Sequence, residues 1–268
     1  MTEIRDTVRQ AIVLVSAILA VVGAFIGSGA AGGTPIQKAA GGALAADATP
    51  IAPGAPAFAI WTPIYAGLLA YAVWQSLPKQ RANERQRRLG YPIAASLILN
   101  AAWILSVQFG FLAASVPIIA ALLVVLVLAF GITLASRPKN LVETVVADGT
   151  VGLYLGWVCV ATAANITALL VASGFRGFGL GADAWAVVIV AVAGLVGVLV
   201  AIRGRGRLAP AVSLSWGLAW VAVARLSGDL LSPPAAIAAI VAVAVVVALT
   251  ITLRIRNPSI RPAKVVAA

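Results

Sequence analysis

The chain alternates long apolar stretches with short polar or charged segments, and this alternation predicts its secondary structure. Windows of about 20 apolar residues, the length that an α-helix needs to cross a bilayer, occur eight times. Each window predicts a transmembrane helix, because a helix satisfies its own backbone hydrogen bonds where no water is present. The predicted spans are residues 11–29, 57–76, 91–109, 115–135, 150–173, 184–202, 209–226 and 233–253.

The basic residues support this number of spans. Cytoplasmic loops of membrane proteins collect Lys and Arg, and sixteen of the nineteen Lys and Arg residues fall on the side that holds both termini. Only Lys38, Arg176 and Arg225 fall on or near the other side. One span more or fewer would destroy this separation. The sequence therefore predicts an all-α polytopic membrane protein whose two termini are cytoplasmic.

Composition excludes several kinds of chemistry. Hydrophobic residues make up 62% of the chain and the mean hydropathy is +1.05, a balance outside the range of soluble domains. The single cysteine, Cys159, excludes an internal disulfide. Because the chain has neither His nor a second Cys, no His or thiolate metal site is predicted. The eight acidic residues form no evident pair, and we therefore expect no enzyme. The net charge is +11, and we expect the basic residues to contact anionic lipid headgroups and not nucleic acid.

Two N-terminal features admit two interpretations each. The first span ends in small residues, as a cleaved signal peptide does. Its apolar run is longer than a typical signal core, which favours a helix that packs through Gly23 and Gly27. Residues 30–58 form a nearly uncharged loop rich in Ala, Gly and Pro. A loop of this length is either a functional lid or a plain linker, and the sequence leaves both open.

Three predicted helices carry aromatic and polar residues on one face. At 100° per residue, the members of each face fall within about 60–80° of one another in the third and fifth spans. These faces form either a ligand pocket or a packing surface with interhelical hydrogen bonds, each worth about 0.6 kcal/mol. The residues are Phe58, Trp61 and Tyr65 in the second span, Ser96, Asn100 and Trp103 in the third, and Tyr154, Trp157, Ala161 and Asn165 in the fifth.

The motifs on these faces resemble, in order and spacing, those of the TspO/MBR family of tryptophan-rich sensory proteins. FAIWTPIY, LNAAW and YLGWVCVATAAN are similar to the family patterns W-x-x-x-Y, L-N-x-x-W and Y-L-x-W-x-x-x-A-T-x-x-N of its second, third and fifth helices. The resemblance covers about residues 10–173. The matching positions are Trp61, Tyr65, Leu99, Asn100, Trp103, Tyr154, Leu155, Trp157, Ala161, Thr162 and Asn165.

The resemblance implies a five-helix bundle in residues 1–175, with the loop 30–58 over a pocket between the helices. Residues 176–268 would then add three transmembrane helices and a basic cytoplasmic tail. Family members bind porphyrins and related tetrapyrroles, so the resemblance implies a tetrapyrrole-like ligand, no required cofactor and a place in the bacterial plasma membrane. The implied ligand-binding residues are Phe58, Trp61, Tyr65, Asn100, Trp103, Tyr154, Trp157 and Asn165.

The chain departs from the family pattern in two places. The family loop brings a Trp-Pro-Pro-like element over the pocket, whereas TPIAPGAPAF keeps the prolines and has no Trp. No Tyr followed by Lys or Arg stands at the outer end of the fifth span, so sterol binding has no support. In the seventh span, Trp216 and Trp220 share a face that either extends the pocket or docks a partner. At the outer end of this span, Arg225 and Asp229 are expected to pair as i,i+4 neighbours.

The leading hypothesis is a membrane protein that binds a planar hydrophobic ligand and has a sensory, regulatory or transport role. The alternative is an accessory subunit of a larger membrane complex, or a homodimer, because the fourth and eighth spans are apolar on all sides. A proton-coupled transporter is disfavoured, since no acidic residue lies deep in a predicted span.

Overall fold

The computed structural model describes residues 2–257, which are helical without any strand. Eight of the helices in this range are long and apolar enough to cross a membrane, so the predicted all-α fold with eight spans is confirmed, and the cytoplasmic placement of the termini stays a prediction. The basic positions Arg261 and Lys264 lie outside the described residues. The helices are α1 (Thr2–Gly27), α2 (Trp61–Ser76), α3 (Glu84–Gln108), α4 (Leu112–Ala135), α5 (Leu141–Ala172), α6 (Ala182–Arg203), α7 (Leu208–Ser227) and α8 (Pro233–Arg256).

Helices α3 and α5 begin well before the apolar windows that predicted them. The side chain of Asn83 caps α3 by accepting a hydrogen bond of 3.0 Å from the backbone N–H of Arg85. Asn140 caps α5 in the same way through the backbone N–H of Glu143, at 2.8 Å. A π-helical turn, Thr144–Gly149, follows within α5. These first turns carry charged residues, which is why a search for apolar windows excluded them.

Those charged residues form a buried network where α3, α5 and α7 begin. The Arg85 guanidinium donates to Glu143 at 3.1 Å and to Asp148, and the side chains of all three are less than a tenth exposed. Arg207, just before α7, donates to the second oxygen of Asp148 at 3.1 Å. Burial lowers the pKa of Arg207, and the negative charge of Asp148 opposes that shift. Paired in this way, the charges tolerate removal from water.

Glycines bring pairs of helices into close contact. A Cβ at Gly156 of α5 would overlap the backbone oxygen of Pro210 in α7, so only glycine allows this approach. A Cβ at Gly23 of α1 would lie 2.9 Å from the Cβ of Ala101 in α3, and Gly27 faces the same helix. The prediction that Gly23 and Gly27 form a packing surface is therefore confirmed.

The loop between α1 and α2 packs against the helices. Short 3₁₀ turns at Ile36–Lys38, Ala40–Gly42 and Ala55–Ile60 shape it. Its residues Ile51 and Ala57 are 4% and 0% exposed and belong to the same hydrophobic cluster as the helices. We call residues 43–58 the covering segment. Because its apolar side chains are buried, the segment is an ordered part of the fold and not a plain linker.

Candidate functional site

Six aromatic rings from α2, α3, α5 and the 3₁₀ turn before α2 form one cluster. Trp61 occupies its centre, with its ring centroid 5.7–6.4 Å from those of Tyr65, Trp103, Tyr154 and Trp157. Phe58 meets Trp157 edge to face at 5.8 Å. Such distances and tilted geometries are those that aromatic pairs prefer. The three faces predicted from helical spacing do meet inside the bundle.

Two asparagine side chains link the helices around this cluster. Asn100 donates through Nδ2 to the hydroxyl of Tyr65 at 2.6 Å and so joins α3 to α2. Asn165 accepts from Nε1 of Trp103 at 2.7 Å and donates to the hydroxyl of Ser115 on α4 at 2.8 Å. Ser115 is absent from the residues predicted from the sequence, because a serine in an apolar helix carries no sign of which helix it faces.

Two buried polar atoms in the cluster have no hydrogen-bond partner among residues 2–257. They are Nε1 of Trp157 and Oδ1 of Asn100, and each residue is 2% exposed. A buried polar group left unsatisfied costs about 1–3 kcal/mol. Both residues belong to the predicted ligand-binding set. The cluster therefore holds one donor and one acceptor that the hydrogen bonds of the described residues leave unused.

A cavity of about 30 Å³ lies between the aromatic cluster and the covering segment. This volume holds a water or two, whereas pockets for organic ligands measure about 300–1,000 Å³. Trp61, Tyr65, Asn100 and Tyr154 do not line it, although the Trp61 ring contacts two residues that do, Trp103 and Trp157. The residues that line the cavity are Phe58, Trp103, Ala161, Trp157, Ala164 and Asn165, together with Ala43, Leu44, Thr49, Ala52 and Pro53 of the covering segment.

Helix α7 binds the covering segment through several hydrogen bonds. Nε1 of Trp216 donates to the backbone oxygen of Ala57 at 2.9 Å, and the backbone oxygen of Trp220 accepts from Gly54 at 3.1 Å. The guanidinium of Arg225 donates to the backbone oxygens of Thr49, at 3.0 Å, and Ala46. The shared face of Trp216 and Trp220 was the one sequence signal for this contact.

The expected pair between Arg225 and Asp229 is wrong. Helix α7 ends at Ser227, so the i,i+4 geometry of a helix does not extend to Asp229. Arg225 is 1% exposed and uses its guanidinium on the covering segment instead. Within residues 2–257, none of the salt bridges includes Arg225.

The family model described as TSPO-like protein matches residues 12–253, which reach from α1 into α8. The chain belongs to the TSPO-like protein family. Comparisons with curated proteins and with solved structures give no match. The match runs past the limit of the sequence resemblance near residue 173, so the family likeness of this TSPO-like chain includes its last three helices. The division at residue 175 stays a prediction.

Membership places the aromatic cluster in a multi-pass membrane protein of the TspO kind. The TSPO-like family consists in general of non-enzymatic membrane proteins. Within residues 2–257 no group of three or more His, Cys, Asp or Glu side chains comes together in a way that would hold a metal ion.

Proposed function

We propose that this TSPO-like membrane protein binds a planar hydrophobic ligand, a tetrapyrrole or porphyrin-like molecule, between α2, α3 and α5. The observation that carries the proposal is an aromatic cluster beside a cavity whose wall includes Trp157, with a buried and unpartnered Nε1. A flat conjugated ring system stacks on indole faces, and its acceptor atoms suit a free indole N–H. The bound ligand would serve a sensory, regulatory or transport role.

Binding requires the cavity to expand, because about 30 Å³ does not hold a tetrapyrrole. The helical side of the site is fixed by interhelical hydrogen bonds at Asn100 and Asn165. Among the described residues, the part of the covering segment from Ala43 to Pro53 makes no hydrogen bond to α3 or α5. Outward movement of this segment is therefore the expansion we propose. Trp61, Trp103 and Trp157 would then present their rings to the ligand.

The protein would lie in a bacterial plasma membrane, with the ends of α1 and α8 that carry basic residues in the cytoplasm. Arg81, Arg88, Arg203 and Arg256 belong to the same end of the alternating helices, and the positive-inside rule supports a cytoplasmic position for that end. Anionic headgroups of the cytoplasmic leaflet are the partner proposed for them. No cofactor is required by this proposal, and a homodimer stays a prediction.

The test is a titration of the purified protein with protoporphyrin, read by quenching of tryptophan fluorescence. We expect saturable quenching in the wild type. In Trp157→Leu the affinity for protoporphyrin should fall about tenfold or more, because a central aromatic anchor is removed. Trp185→Leu is the matched control, because Trp185 packs on Phe175, outside the cluster. Lipid vesicles alone correct for partitioning of the porphyrin into the membrane.

Quenching that does not saturate, or equal affinity in both variants, would mean that the cluster serves packing alone. The accessory-subunit hypothesis would then take its place. Recovery of a stable stoichiometric complex in mild detergent would support that alternative.

A further inference from the structure

A second and larger space lies on the outside of the covering segment. It is a groove of about 630 Å³ between residues 37–49 of the loop and the end of α5, where Ala168, Val171 and Ala172 line it. Ala43 and Thr49 line both this groove and the closed cavity. The covering segment is therefore the wall between the two spaces. The groove has the volume of an organic ligand site, whereas the cavity does not.

The wall is fastened by a charged side chain from a distant part of the sequence. Arg225 of α7 donates to the backbone oxygens of Ala46 and Thr49, which lie 179 and 176 residues earlier in the chain. It is 1% exposed, and its Nε has no partner. A buried guanidinium is expensive unless its hydrogen bonds are made. The covering segment supplies these bonds, so the two elements hold each other.

A second fastening lies a few residues further along the wall. The backbone of Gly54 donates to Trp220, and the backbone oxygen of Ala57 accepts from Trp216. A Cβ at Gly54 would lie 3.3 Å from the Trp220 ring, so the segment rests directly on that ring. Both fastenings come from α7, which contributes nothing to the lining of the cavity itself.

We propose that the groove is the entrance for the ligand. We further propose that Arg225 acts as a latch, which holds the covering segment in place between the groove and the cavity. The proposal rests on the ligand-binding function proposed above. Release of Arg225 from Ala46 and Thr49 would let the wall move and join the groove to the cavity. Helix α7 would thus set how often the site opens. A site that is open for only part of the time binds with an apparent affinity reduced by that fraction.

The latch is tested without ligand by hydrogen exchange of the backbone amides between residues 46 and 57. We expect these amides to exchange about tenfold faster in Arg225→Met, because hydrogen bonds to a charged group are lost. Arg176→Met is the matched control, since Arg176 is an exposed cation in the loop after α5. Amides of α8 report whether each variant remains folded. If Arg225→Met fails to fold, Trp216→Phe removes a single donor, and faster exchange near Ala57 is then the expected result.

The entrance is tested by the rate at which protoporphyrin quenches tryptophan fluorescence after rapid mixing. A latch that limits access predicts an association rate about tenfold faster in Arg225→Met and unchanged in Arg176→Met. Unchanged amide exchange in the folded variants would overturn the latch, whether or not porphyrin binds.

Faster exchange with an unchanged association rate would overturn the entrance, because the ligand would then reach the site by another way. Absence of saturable quenching in the wild type would reject the proposed function, and with it the gating role of the groove.

Discussion

The indole N–H of Trp103 on α3 donates to the side-chain oxygen of Asn165 on α5 across 2.7 Å, inside the apolar part of the bundle. The amide of Asn165 also donates to Ser115, so a single side chain joins three helices. Asn100 differs, because its Oδ1 has no partner. Of the two asparagines in the candidate site, Asn165 thus uses both ends of its amide within the protein, whereas Asn100 uses only its Nδ2.

Replacing Asn165 with Leu should destabilise the bundle. The substitution leaves the buried N–H of Trp103 without an acceptor, at an expected cost of about 1–3 kcal/mol in the free energy of unfolding. Unfolding in mixed detergent micelles, followed by far-UV circular dichroism, measures this change. Thr167→Val is the control, because the Thr167 hydroxyl bonds only within its own helix. Equal stability of the two variants would show that the Trp103–Asn165 bond contributes nothing net.

Trp157→Phe should weaken the binding of protoporphyrin while it keeps an aromatic ring in the cavity wall. The lost Nε1 has no partner in the part of the chain that the structure describes, so its removal takes away no hydrogen bond seen there. A ligand that accepts from this atom should lose about 1 kcal/mol, roughly a fivefold change in Kd. A fluorescence titration measures this change. An unchanged Kd would show that the ligand does not use the indole N–H.

Asp148→Asn should be strongly destabilising, because the Asp148 carboxylate is shared between Arg85 and Arg207. Its neutralisation leaves Arg85 with Glu143 and takes away the carboxylate bonded to Arg207, so the network keeps two positive charges and one negative charge, at an expected cost of about 3–5 kcal/mol. Thermal unfolding in detergent measures the loss. Asp183→Asn offers a matched control, since Asp183 is exposed and accepts from Ser232, as an amide oxygen also does. A small change in Asp148→Asn would mean that the two arginines find other partners.

Two glycine-to-alanine substitutions should act in opposite directions. Gly156→Ala places a methyl group inside the van der Waals radius of the Pro210 oxygen and forces α5 and α7 apart, which should cost about 3 kcal/mol or more. Gly131→Ala in α4 meets nothing within 4 Å. It should stabilise the helix by about 0.5–1 kcal/mol, because alanine loses less backbone entropy. The melting temperatures of both variants, compared with that of the wild type, measure these changes. Similar values would show that α5 and α7 can separate at little expense.

Periodicity made the core of the site predictable. In a lipid-embedded helix, residues such as Trp61, Asn100 and Trp157 reveal their inward face, because amides and indoles have few partners outside the bundle. Spacing at 100° per residue is therefore enough to predict that their faces meet. The charged first turns of α3 and α5 carry no such signal, since Arg85 and Asp148 are tolerated in the bundle as members of one network of charges, and the two residues are 63 positions apart.

The hydrogen bonds from Arg225 to the covering segment were not predictable from local patterns. Arg225 has an acidic neighbour at Asp229, and the i,i+4 rule favours that partner. The helix stops at Ser227, however, and backbone oxygens of the loop take the guanidinium. Backbone acceptors carry no mark in the sequence, because every residue has one. Such a contact becomes visible only when the helices are assembled.

The distance in sequence between Arg225 and Thr49, 176 residues, has a consequence for biogenesis. A ribosome adds about 5–20 residues per second, so the fastening helix emerges roughly 10–35 s after the loop that it secures. Throughout that interval the first five helices can insert and associate while the loop above them has no α7 to hold it. In the nascent protein the hydrogen bonds from α7 to the covering segment are therefore the last part of the site that can form, after the helices that carry its tryptophans.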